Sequence, residues 1–253
     1  MKIDANRIFE DELSRRGFSF IREDENTYRI KLEGSEISVN LVNVRRNAER
    51  DRDPATITRF VDKVIETFPV NRPAWSEASS LLLWAAELAD QEFGDSIRVV
   101  VTDEVMRVLT LTDLDQTKIT WVTPDMCDEW GVTSEEAGVA AFLNQDKLIE
   151  GVELEVTEAD GSPLGMVPLD SPYKASVIFA PSFKRLVESV LGWPVLVVLP
   201  CRDFIYVVAD NSPIVGQMGS VVVNEFRSSG YPITTEVLRI SDDGIEAIGR
   251  FPT

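Results

Sequence analysis

Asp113-Leu114-Asp115 sets two carboxylates on the same side of an extended segment, the spacing used by a divalent cation or an acid/base pair. Mg²⁺ or Ca²⁺ needs further oxygen ligands, and Gln116 and Thr117 are poor ones, so a solvated turn between strands is the favoured reading. Glu153, Glu155, Glu158 and Asp160 pose the same question; alternation with Val152, Leu154 and Val156 assigns the first two to the wet face of a strand. Cys201 stands beside Arg202, whose charge would lower a thiol pKa, but a nucleophile also needs a base and the chain contains no histidine. Cys127, among Asp125, Asp128 and Glu129, lies in the wrong field for a thiolate. Ser162 in Asp160-Gly161-Ser162-Pro163 belongs to a turn, not a nucleophile elbow. The sequence holds no EF-hand loop, P-loop or dinucleotide-binding glycine pattern, and Gly216 and Gly219 fall inside a predicted helix where close packing explains them. The absence of histidine removes Ser/His and Cys/His pairs and histidine-containing metal sites. Carboxylate, lysine and tyrosine chemistry remains.

The chain has 253 residues, 44% hydrophobic and 27% charged, which is the balance of a soluble globular protein with room for one large domain or two modest ones. Its net charge of −18 is unevenly spread: residues 1–68 hold 13 basic and 14 acidic side chains, and residues 69–253 hold 12 and 29. From Asp125 to Asp160 there are 11 carboxylates against Lys147 alone. Such a surface repels phosphate backbones and anionic leaflets, so neither nucleic acid nor membrane is expected as a partner; a protein with a basic surface is compatible. Arg45, Arg46, Arg50 and Arg52 form the basic concentration, but Glu49, Asp51 and Asp53 interleave with them, and residues 45–54 read as a solvated polar loop. Two cysteines make neither a disulfide framework nor a thiolate zinc site. The charged start MKIDANRIFEDELSRR and the shortness of apolar runs such as Val195–Leu199 lead to the expectation of a cytoplasmic protein. Core packing is the default role of the tryptophans; Trp75 and Trp193, if exposed, would be interface anchors.

Asp4 caps a helix to about Arg16, and Gly17 ends it. Strands follow at 18–22, 27–32 and 36–43, then a helix over Thr56–Phe68 with Ile57, Phe60, Val61, Val64, Ile65 and Phe68 on one face. Strands are predicted at 97–101, 105–111 and 118–122, and Thr133 and Glu136 have capping-box spacing for a helix to about Leu148. Beyond it come strands at 153–157, 165–167 and 175–179, a helix from Pro181-Ser182 to Leu191, a hairpin over 195–209, a helix from Ser212-Pro213 to Gly230, and strands at 234–240 and 244–249. This order gives an α+β fold of two tandem lobes, residues 1–122 and 123–253, with helices on antiparallel sheets. The alternation also looks like the layout of type III secretion chaperones.

Three segments carry a resemblance to a family. Thr112–Asn144 has the family's Asp-Leu, strand, Met, Trp and helix ending near Asn. Tyr173-Lys174-Ala175-Ser176 falls where the family has Tyr-Asp-Ala-Ser, and Val208-Ala209-Asp210-Asn211, Gly216-Gln217-Met218 and Tyr231-Pro232-Ile233-Thr234 follow in matching order and spacing. On these residues the chain resembles the YtpQ-like bacterial proteins. The resemblance implies a strand at Leu81–Ala86, where composition alone suits a helix equally. Lys174 and Val177 depart from the family's Asp and Arg, so a site built on that pair is lost. The family brings no reaction with it.

The expected function is therefore a non-enzymatic protein-binding module, chaperone-like or an antagonist of a basic partner, without a cofactor or metal. The alternatives are a carboxylate-dependent enzyme and a structural subunit of an assembly. Candidate site residues are the motif positions Tyr173, Ser176, Asp210, Gln217, Pro232 and Thr234, although Asp210-Asn211 would also cap the following helix.

Overall fold

The computed structural model describes residues 3–32, 35–65, 73–91, 93–114, 116 and 119–253. The chain divides into two units, Met1–Arg72 and Pro73–Thr253. The expected boundary at 122/123 falls inside the second unit, because strands before it and helices after it share one hydrophobic core. Among the described residues there are eight α-helices and three antiparallel sheets, an α+β fold.

In the first unit, Ala5, Phe9 and Leu13 recur every four residues and form the buried stripe of α1 (Ala5–Arg15), whose first turn is closed by Asp4 accepting from the Arg7 N–H. Three strands, β1 (Ser19–Arg22), β2 (Thr27–Leu32) and β3 (Ser35–Asn40), pair in sequence order. The Tyr28 ring lies 5.0 Å from Phe9 on their inner face. Two helices complete the unit, α2 (Val42–Asp51) and α3 (Ala55–Ile65). The loop expected over 45–54 is therefore mostly helix. Leu41, Val44 and Ala48 are buried at helical spacing, and this sparse stripe outweighs the polarity of the segment, until Arg52 in the left-handed region ends it. The predicted helix 56–68 is found as α3; its last residues lie outside the described ones.

The second unit begins with α4 (Trp75–Ala78) and a sheet of β4 (Leu82–Leu88), β5 (Arg98–Val100), β6 (Val105–Thr112) and β7 (Ile119–Trp121), in which β6 pairs with the other three. After α5 (Pro124–Trp130) comes α6 (Ser134–Leu148), opened by the predicted capping box: Thr133 accepts from the Glu136 N–H and Glu136 accepts from the Thr133 N–H. The other sheet holds six strands in the order β13-β12-β10-β11-β9-β8: β8 (Glu155–Ala159), β9 (Ser162–Met166), β10 (Val195–Cys201), β11 (Phe204–Ala209), β12 (Glu236–Ser241) and β13 (Gly244–Arg250). Two helices, α7 (Phe183–Leu191) and α8 (Gly219–Ser228), complete the element order. α7 contributes Phe183, Val187 and Leu191 to the main core, and α8 buries Val222 against Leu196 and Val198 on the opposite face of β10. Strand β10 is consequently buried on both faces.

Two expected elements change character. Ala175–Phe179 is a 3-10 turn, not a strand; all five residues are buried, and a short apolar run carries no periodicity to separate the two. The helix expected from 213 to 230 breaks at Met218 into a 3-10 turn and α8. Trp75 and Trp193 are half-buried: Trp75 packs on Trp130, and Trp193 donates to Asp242 beneath the Lys184 ammonium.

The approach of α6 to β4 is close. The Trp84 indole donates to the Gly138 carbonyl at 3.1 Å, and a Cβ on Gly138 would meet the indole Cζ2 at 2.9 Å. Gly138→Ala gains about 1 kcal/mol in helix propensity but forces a fixed ring aside at about 1–3 kcal/mol. Urea unfolding is expected to show net destabilisation and not the gain that an exposed helix position would give.

Candidate functional site

Among the described residues, strand β4 has a neighbour on one side only, β6, yet it is buried along six of its seven residues. Its outward backbone groups must find partners, since a buried unpaired N–H or C=O costs about 1–3 kcal/mol. Three side chains supply them. Asn144 donates to the Leu82 carbonyl at 2.9 Å, and Gln145 both accepts from the Trp84 N–H at 3.1 Å and donates to the Trp84 carbonyl at 3.2 Å. Ser176 Oγ accepts from the Ala86 N–H at 2.8 Å. Gln145 also donates to the Ser176 carbonyl at 2.9 Å, tying the 3-10 turn to the same edge. Side chains thus take the place of a missing strand.

On the other face of β4, the fully buried Tyr173 hydroxyl shares a 2.9 Å hydrogen bond with Thr110 Oγ1. Further along, Glu87 is 3% exposed and is ion-paired by Arg202 from the β10–β11 turn. Burial pushes the Glu87 carboxyl above the usual carboxylate range despite the pull of Arg202. The Arg202 guanidinium also lies 4.2 Å from the Tyr231 ring centroid. A second polar cluster joins Thr234, which donates to Glu104 at 2.7 Å, to Glu236, which accepts from Thr102. Glu236 is pushed up by burial and by the neighbouring Glu104 and Asp103.

The six motif positions are not brought together as one site. Tyr173 and Ser176 serve the β4 sheet, and Thr234 belongs to the Glu104–Glu236 cluster. Asp210 is ion-paired with Arg239 at 2.8 Å, Gln217 is exposed, and half-buried Pro232 forms a lone bridge with Cys201. Both cysteines are buried, and burial pushes both thiols up, so the proximity of Arg202 does not yield a thiolate at Cys201. Asp115 lies outside the described residues; among those described, no group of three carboxylates or thiols is placed to hold a metal ion. Among them, too, no helix is long and apolar enough to cross a membrane.

The open feature is β8. It forms an outer edge of the six-stranded sheet and is exposed over Glu155–Glu158. Asp160 and Gly161, both at positive φ, make a two-residue turn to β9, with Ala159 opposite Ser162. That register points the N–H and C=O of Val156 and Glu158 away from β9. Glu150, Glu153, Glu155, Glu158 and Asp160 are all exposed, and none is held in an ion pair among the described residues. The opposite edge differs: β13 is bulged at Ile248, and its Glu246 is paired with Arg239. Acid density and alternation marked this segment in the sequence; its place at an edge needed the sheet order.

No protein-family model, no curated protein and no solved structure matches the chain. The likeness to type III secretion chaperones accordingly rests on element order alone.

The Glu87–Arg202 pair gives a pH-dependent test. Glu87 binds its proton more tightly folded than unfolded, so its contribution is intact below the ordinary carboxylate pKa and is lost as pH rises through the raised value. Arg202→Met lifts that value further. Urea unfolding is expected to show a small difference from the parent near pH 4, growing to about 3–5 kcal/mol near neutrality. Adding Glu87→Gln to Arg202→Met should flatten this pH dependence; a difference independent of pH would contradict the assignment.

Proposed function

We propose that this YtpQ-like chain is a cytoplasmic, non-enzymatic protein-binding module that takes an extended basic segment of a partner along β8. The observation that carries this reading is the open β8 edge, with outward main-chain groups on Val156 and Glu158 and five carboxylates around it that have no ion-pair partner among the described residues. Strand addition uses main-chain hydrogen bonds for affinity and side chains at alternate positions for selectivity. Glu155 and Glu158 lie on opposite faces of β8, so an alternating strand sets its Lys or Arg across from one of them in a given register, and each cross-strand opposite charge adds about 0.2–1 kcal/mol. The same carboxylates keep the unoccupied edge from pairing with another acidic edge of its own kind. The motif residues support the non-enzymatic reading, because Tyr173, Ser176 and Thr234 are already committed to internal hydrogen bonds.

A fluorescein-labelled peptide of about ten residues alternating Lys and Val tests this by anisotropy. Binding is expected at low salt and should weaken steeply by about 0.5 M NaCl. Glu155→Lys with Glu158→Lys should abolish it, and Val156→Pro should do so without altering charge, by removing an outward N–H. Binding that survives Val156→Pro, or that an alternating Glu/Val peptide matches, would refute strand addition at this edge.

A further inference from the structure

We propose that Arg107 is the anchor for a carboxylate carried on an apolar segment of a partner protein, at a site distinct from the β8 edge. Arg107 stands on β6 with its guanidinium carbon 5.0 Å from the Trp84 ring centroid and 4.8 Å from that of Phe142 on α6. The two rings are themselves 5.7 Å apart, so the guanidinium caps both at once and is fixed in direction. It makes no hydrogen bond and no ion pair among the described residues, in a chain with 43 carboxylates. Nε is buried without a partner, while the residue as a whole is only half-buried. Burial is the cause that disfavours the charged form, with no carboxylate among the described residues offsetting it.

An arginine held by aromatic faces presents its Nη pair as a rigid fork, and the matching ligand is a planar carboxylate bound by two parallel hydrogen bonds. The neighbours shown beside it, Trp84, Phe142 and Val99, are apolar or aromatic. Val99 on β5 stands directly opposite Arg107 on the same sheet face and is 40% exposed. One turn before Phe142 on α6, Val139 is 53% exposed. A partner side chain seated on Val99 would bury apolar area while its neighbouring Asp or Glu reached the guanidinium. Charge complementarity selects this occupant: a basic segment, suited to β8, would be repelled here, and a purely apolar one would leave the guanidinium further desolvated and still unpaired.

The test uses the full chain and two fluorescein-labelled peptides of about ten residues, rich in Val and Leu, one with a central Glu and the other with Gln in its place. The Glu peptide is expected to bind at least roughly tenfold more tightly than the Gln peptide, a difference of about 1.4 kcal/mol. Arg107→Met should reduce the Glu peptide to the level of the Gln peptide, with circular dichroism unchanged. Should that variant unfold, Val99→Glu at an exposed position provides the second route, since a carboxylate on the adjacent strand would occupy the fork and block the peptide. Equal binding of the two peptides, binding by neither, or full binding of the Glu peptide to the Val99→Glu protein would overturn the proposal.

Discussion

The second unit depends on one constraint: a buried strand with one neighbour must still satisfy the backbone groups on its open side. β4 meets it through the Asn144 and Gln145 amides and the Ser176 hydroxyl, which reach the outward groups of Leu82, Trp84 and Ala86. Because each of these groups would cost about 1–3 kcal/mol unmade, α6 and the 175–179 turn are fixed in register against the sheet, not merely packed on it. The tight Trp84–Gly138 contact is a consequence of the same register. Polar residues that a sequence presents as candidate chemistry are thereby consumed in holding the fold.

Charge is handled differently in the two units. In the first, arginines are spent locally: Arg16 on Glu12 and Asp62, Arg45 on Glu25, Arg59 on Asp53. Exposed pairs of this kind contribute little stability, but they leave little net field. In the second unit the carboxylates of residues 150–160 have no such partners among the described residues and sit on or beside an open sheet edge. Unpaired charge of one sign on an edge discourages self-association and favours an extended partner of the other sign. Arg107 is the converse case, one cation set against Trp84 and Phe142.

Local signals were legible. The Asp4 cap, the Thr133–Glu136 capping box and the Asp160-Gly161 turn appear where the sequence predicts them, because each depends only on neighbouring residues. Polarity concealed α2, whose buried stripe is only Leu41, Val44 and Ala48. The run 175–179 was ambiguous because total burial erases periodicity. Tyr173, Ser176 and Thr234 could be named as special, but their roles depend on partners about 63–130 positions away in the chain, such as Thr110, Ala86 and Glu104. Asn144 and Gln145 gave no signal beyond helical placement, since their role exists only once β4 lies beside them.

Hydrogen–deuterium exchange on the full chain, with and without an alternating Lys/Val peptide, addresses the β8 edge most directly. New protection is expected at the amides of Val156 and Glu158, with β13 unchanged, as the outward groups of β8 acquire partners. Exchange at 155–159 that is unaltered while the peptide is bound, or protection confined to β13, would contradict strand addition at β8.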